Sequence, residues 1–151
     1  MYLARKIFVG AQYKHRAVNA QVNVSVGGTL LEINCGKISY IDENIGCWRK
    51  ANAIHGWFVE NIQNGINNCE CYMVDLEKLK ELKVLCLSIL NEKFPEKQKE
   101  LARELLPPSE GFFFGNYDID EFYMEDLQDT VEIIQECKKY PDDEFEYSSS
   151  W

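Results

Sequence analysis

Trp48, Arg49, Lys50, Asn52, His55 and Trp57 bring two indoles, two cations, an amide and an imidazole into ten residues of chain. Those types together could hold a flat, anionic ligand: cations for phosphates, an amide for a base edge, and rings for stacking. The structural alternative is an Asn52 and His55 pair buried on a helix and satisfied by backbone of an adjoining strand. An unpaired buried polar group costs about 1–3 kcal/mol, so partners of one kind or the other are required. A second aromatic group is Phe112-Phe113-Phe114, bounded by Gly111 and Gly115, with Tyr123 further on. Aromatic clusters serve core packing as well as stacking, and both uses stand open here. The candidate ligand-binding set is therefore Trp48, Arg49, Lys50, Asn52, His55, Trp57, Phe112, Phe114 and Tyr123. No catalytic residue is assigned, because the sequence has no phosphate-binding glycine loop, no Gly-x-Ser-x-Gly elbow and no His-Glu-x-x-His pair. A cysteine paired with His55 could in principle make a nucleophile pair. Neither metal nor cofactor is expected, since Cys69-x-Cys71 lacks the paired spacing of a zinc site.

The elements that position these residues follow from periodicity. Between Ile45 and Gly65, Trp48, Ala51, Asn52, His55, Phe58, Val59 and Ile62 recur at three- and four-residue spacing, which predicts one central helix with Arg49 and Lys50 at its rim. Gly46 weakens its start, and a break there would leave backbone N–H groups around Cys47–Lys50. Tyr2–Val9, Asn19–Val26 and Thr29–Asn34 read as strands, the second alternating Val22, Val24 and Val26 with polar residues. Gly27-Gly28 marks a two-residue hairpin turn in an antiparallel meander. Cys71–Val74 reads as an edge strand. Asp75 is placed as the cap of a helix with Leu76, Leu79, Leu82, Val84, Leu85, Cys86, Ile89 and Leu90 inward. Pro95 opens a short helix with a solvated charged face. Asp120–Lys139 forms the last helix, Phe122, Tyr123, Leu127, Val131, Ile134 and Cys137 facing inward. The predicted fold is α+β: a small antiparallel sheet from the N-terminal strands, packed by a central aromatic helix and two to three further helices. Residues 1–139 are expected as a single globular domain and 140–151 as an acidic C-terminal tail.

The formal charge of −9 is unevenly distributed. Asn116–Trp151 holds twelve carboxylates against Lys138 and Lys139, a net of −10, which leaves the remainder at +1. That balance opposes direct binding to duplex nucleic acid yet permits a local basic site. No apolar run reaches the roughly 18–20 residues of a membrane span, so no membrane partner is expected and a cytoplasmic location follows. With no secretion signal in the sequence, the six cysteines are expected as free, buried thiols.

Trp48-Arg49-Lys50-Ala51-Asn52-Ala53-Ile54-His55, then Trp57-Phe58-Val59, Asn61–Gly65, Leu105-Leu106-Pro107, Gly111–Gly115 and Tyr123 with Glu125-Asp126-Leu127 and Thr130, carry a resemblance. In this order of motifs the chain resembles a family of small proteins encoded by phages and prophages, across Ser39–Glu136. Cys69-Glu70-Cys71-Tyr72 departs from that family's Cys-Gly-aromatic pattern. The resemblance implies an accessory factor acting in the host cytoplasm, with countering of host defence as the leading role. Three forms are expected. The first binds and sequesters a nucleotide or cyclic-nucleotide immune signal without turnover. The second is an acidic inhibitor occupying the basic groove of a host defence protein that binds nucleic acid. The third is a non-catalytic structural or assembly protein. Phe145, Tyr147 and Trp151 could also dock on a second copy, giving a homo-oligomer.

Overall fold

The computed structural model describes residues 1–8, 18–26, 29–38, 40–109 and 118–150, with side chains described outside 7–41. The fold is α+β, with a small antiparallel sheet and, among the described residues, four helices. The chain divides into two compact units, Lys6–Glu43 and Met1–Arg5 with Asn44–Trp151. In the first, β2 (Val18–Val26) pairs antiparallel with β3 (Thr29–Ile38), from Val26 opposite Thr29 to Val18 opposite Ile38, with an irregularity at Asn19/Ala20. The alternating valines of β2 suit this pairing. The expected Gly27-Gly28 turn lies outside the described residues.

The larger sheet runs in the order β4-β1-β6-β5, from β1 (Tyr2–Phe8), β4 (Tyr40–Cys47), β5 (Tyr72–Val74) and β6 (Glu144–Ser148). This corrects the expected N-terminal meander, since β1 joins β4 and β6 while β2 and β3 form their own two-stranded sheet. At one end of the β1 and β4 pair, Met1 and Trp48 exchange backbone hydrogen bonds of 2.9 and 3.1 Å. The segment read as an acidic tail is instead an interior strand. Phe145 and Tyr147, alternate residues of β6, are fully buried, and β6 pairs antiparallel with β5 through Tyr72 opposite Tyr147 and Val74 opposite Phe145. Burying one aromatic face outweighs the charge of Glu144 and Glu146, which project to the other. Arg5 holds the turn before β6 from β1, bonded to Asp143 at 2.9 Å with its guanidinium 3.5 Å from the centre of the Tyr140 ring.

Helix α1 (Asn52–Asn61) is shorter than expected because Ile45–Cys47 completes β4. Gly46 belongs there for a packing reason: a Cβ would approach the Ile133 side chain to 2.6 Å. Lys50, at φ 63°, turns the chain into α1 through a left-handed conformation that costs a side-chain-bearing residue about 1–2 kcal/mol. Asn52, Ala53, Ile54, His55, Trp57 and Phe58 are all buried, so this helix runs through the core on nearly every side. Its Phe58 ring stacks on Tyr147 at 3.8 Å between centroids and 5° between planes.

Helices α2 (Leu76–Leu90), α3 (Pro95–Leu105) and α4 (Glu121–Cys137) match the periodic segments closely. Leu79, Leu82, Cys86 and Ile89 of α2, with Tyr123, Leu127, Ile134 and Cys137 of α4, join the core. Val84 and Phe122, expected inward, are exposed at 62% and 72%. Asp120 caps α4 by accepting from the Tyr123 N–H at 3.1 Å, whereas Asp75 occupies the α2 cap position without a side-chain bond. The cysteines depart from the expected burial: Cys86 and Cys137 are buried thiols, while Cys47, Cys69 and Cys71 are exposed.

Replacing Tyr147 by Ala should destabilise the protein by about 3–5 kcal/mol, the usual range for deleting a buried ring. Urea unfolding measures this; a change under 1 kcal/mol would show that β6 contributes little to the core.

Candidate functional site

Helix α4 places an exposed acidic wall opposite the turn that joins β4 to α1. Trp48, the last residue before that turn, is buried, and its indole N–H donates to Thr130 Oγ1 at 2.8 Å. Thr130 in turn donates to the Asp126 carbonyl oxygen at 2.6 Å. Trp48 is thus a structural anchor, and the residues on either side of this tether line an open cleft of about 350 Å³. One side holds Arg49, Lys50 and Asn52; the other holds Asp118, Asp120, Phe122, Tyr123, Glu125, Asp126 and Asp129. Arg49 and Lys50 are exposed, and neither forms an ion pair among the described residues. Asn52 is buried at the cleft floor and already engaged within the protein.

Tyr123 lies against this floor, its ring buried and its hydroxyl donating to the Leu106 carbonyl at 2.8 Å. Burial, with Cys86 and Asp126 nearby, pushes its pKa up, so the phenol stays a donor. Asp126 is half-buried beneath exposed neighbours. Burial first, then the charges of Asp129, Glu125 and Asp120, push its pKa up to about 7. Near neutral pH this carboxyl therefore exchanges between an acceptor and a proton donor.

His55 and Trp57 belong elsewhere. They line a second cleft of about 420 Å³ with Gly56, Asn67 and the 105–109 segment, where Gly56 meets Ser109 too closely for a Cβ. His55 itself is core: Nε2 faces Asn67 Oδ1 at 3.0 Å and Nδ1 faces the Tyr147 hydroxyl at 2.7 Å. Because Asn67 Oδ1 only accepts, Nε2 carries the proton and Nδ1 accepts from Tyr147. Burial lowers the His55 pKa against the opposing Asn67 bond, and the charge of the N-terminal ammonium lowers it further. The imidazole is a neutral bridge from α1 to β6. Its partners are side chains, not the backbone expected from sequence.

Of the candidate residues, then, Arg49, Lys50, Asn52 and Tyr123 share one cleft, His55 and Trp57 border another, and Trp48 anchors the first. Phe112 and Phe114 lie outside the described residues. The sequence names Asp126 and Thr130 among the motif residues without placing them at the site; the signal for Asp126 was its position beside Tyr123 in the most acidic quarter. Cys86 and Cys137 are pushed up to about 12 by burial, so neither is a thiolate nucleophile at neutral pH. Among the described residues no three His, Cys, Asp or Glu groups converge as a metal site, and no helix is long and apolar enough to cross a membrane. No family model, no curated protein and no solved structure matches the chain.

The folded state keeps the Asp126 proton up to about pH 7, whereas an unfolded aspartate releases it near pH 4, so stability declines as pH rises between those values. Asp126→Asn should melt higher than the parent at pH 8 and converge with it near pH 4. Equal melting temperatures throughout a pH 4–8 series would show that Asp126 carries no such penalty.

Proposed function

We propose that this chain is a non-catalytic binding protein, a phage-type accessory factor that antagonises host defence by sequestering a nucleotide-derived signal in the cleft beside Trp48. One observation carries this reading: Arg49, Lys50 and Asn52 line the same cleft as Tyr123 and Asp126, although about 70 residues of chain separate them. Both segments are among the motifs of the phage-protein resemblance. Arg49 and Lys50, without ion-pair partners among the described residues, supply phosphate attraction, and the exposed Phe122 ring supplies a stacking face. Turnover is absent from the proposal because His55 is committed at both ring nitrogens and the buried thiols are protonated. The cytoplasm of a host cell is the compartment this role requires.

The acidic-inhibitor reading keeps one specific support. Glu121, Glu125, Asp129, Glu132 and Glu136 of α4 fall within an arc of about 80° at 100° per residue, a continuous face as a phosphate mimic needs.

A panel of linear and cyclic nucleotides, tested by thermal shift on the full chain, separates the two. A ligand at 100 times its Kd adds about 2.7 kcal/mol, roughly 5–10 °C for a protein of this size, and Arg49→Ala with Lys50→Ala should abolish that shift while leaving the unliganded melt unchanged. Absence of any shift, with no nucleotide released on denaturation, sinks the sequestration reading. For the inhibitor reading, neutralising Glu125, Asp129, Glu132 and Glu136 should remove at least tenfold of the affinity for a basic protein partner. Unchanged capture would end it.

A further inference from the structure

The cleft that holds Arg49 and Lys50 is electrically lopsided. Its lining carries those two cations on the β4 to α1 turn and five carboxyl groups on the other side, a formal balance of −3 with Asp126 ionised and −2 with it protonated. Glu125, Asp126 and Asp129 form no side-chain ion pairs among the described residues, so the two signs do not neutralise each other across the cleft. A polyphosphate laid there would meet Arg49 and Lys50 at one end and run its remaining charge along the acidic wall. A ligand with one anionic end and a donor-rich end meets attraction at both. Among nucleobases, guanine presents two adjacent donors, N1–H and the 2-amino group, that one carboxylate accepts together. Adenine and cytosine place a ring acceptor beside their amino group, and uracil sets its single N–H between two carbonyls. Facing carboxylates, those acceptors are repelled. Phe122, exposed at 72% within the same lining, offers a ring face to a purine.

We infer that the cleft selects a guanine nucleotide carrying a single phosphate group, its phosphate on Arg49 and Lys50 and its base edge on the carboxylates of α4. This rests on the sequestration reading and adds the ligand class to it.

The probes are GMP, GTP, UMP and guanosine, titrated calorimetrically into the full chain. GMP should bind at least tenfold more tightly than GTP, UMP or guanosine, and Arg49→Ala should weaken GMP without affecting guanosine. Glu125→Gln with Asp129→Asn, both on an exposed helical face, should narrow the gap between GMP and GTP and erase the preference for guanine over uracil. GTP or UMP binding as tightly as GMP overturns the inference while leaving nucleotide sequestration standing. So does failure of all four probes when another nucleotide of the thermal-shift panel binds. Failure of all four probes and of the whole panel overturns both.

Discussion

The bond from the Trp48 indole to Thr130 is the constraint on which the cleft depends. It joins the end of β4 to the middle of α4, residues 82 apart in sequence, and is buried. Thr130 passes the connection on to the Asp126 carbonyl, so the backbone bearing the acidic wall and the turn bearing the cations are fixed through one hydroxyl. Each such bond is worth about 1 kcal/mol net, but an orphaned buried indole or hydroxyl costs more, so the pair tolerates little separation. Gly46, pressed against Ile133, sets the same strand and helix close together two residues earlier on β4 and one turn later on α4. Lys50 then carries its left-handed backbone at the cleft rim, where tertiary packing, not local preference, holds it.

A second polar network stands beneath α1. His55 joins Tyr147 and Asn67, Phe58 stacks on the same Tyr147 ring, and Ser149 reaches the Asn68 carbonyl at 3.2 Å. Strand β6 is therefore held by an aromatic face and by two polar links, from Tyr147 to the helix and from Ser149 to the loop after it. Such a network specifies one docking of β6, because any slip along the strand would leave an imidazole or a phenol without its partner.

Helices α2, α3 and α4 were legible because their apolar residues recur at helical spacing over eleven or more residues with proline or aspartate at their starts. The start of α1 was not. Ile45, Cys47 and Trp48 fit a strand end as well as a helical stripe, and a short apolar run cannot be assigned by period alone. For β6 the signal was present in Glu144-Phe145-Glu146-Tyr147, a two-residue alternation, but the surrounding acidity and serines favoured a tail. Arg49, Lys50 and Asn52 could be grouped from adjacency alone; Asp126 and Thr130 could not be joined to them, since their meeting depends on tertiary packing across the chain. The partners of His55 were hidden for the same reason.

The place of β6 between β1 and β5 also sets a timetable for synthesis. Arg5 on β1 and Asp143 beside β6 are 138 residues apart, so at about 5–20 residues per second β1 emerges roughly 7–28 s before its neighbour exists. The β2 and β3 hairpin closes locally in that interval. The larger sheet cannot. Until β6 leaves the ribosome, β1 and β5 each keep an unpaired edge, the kind of edge on which strands of separate chains pair.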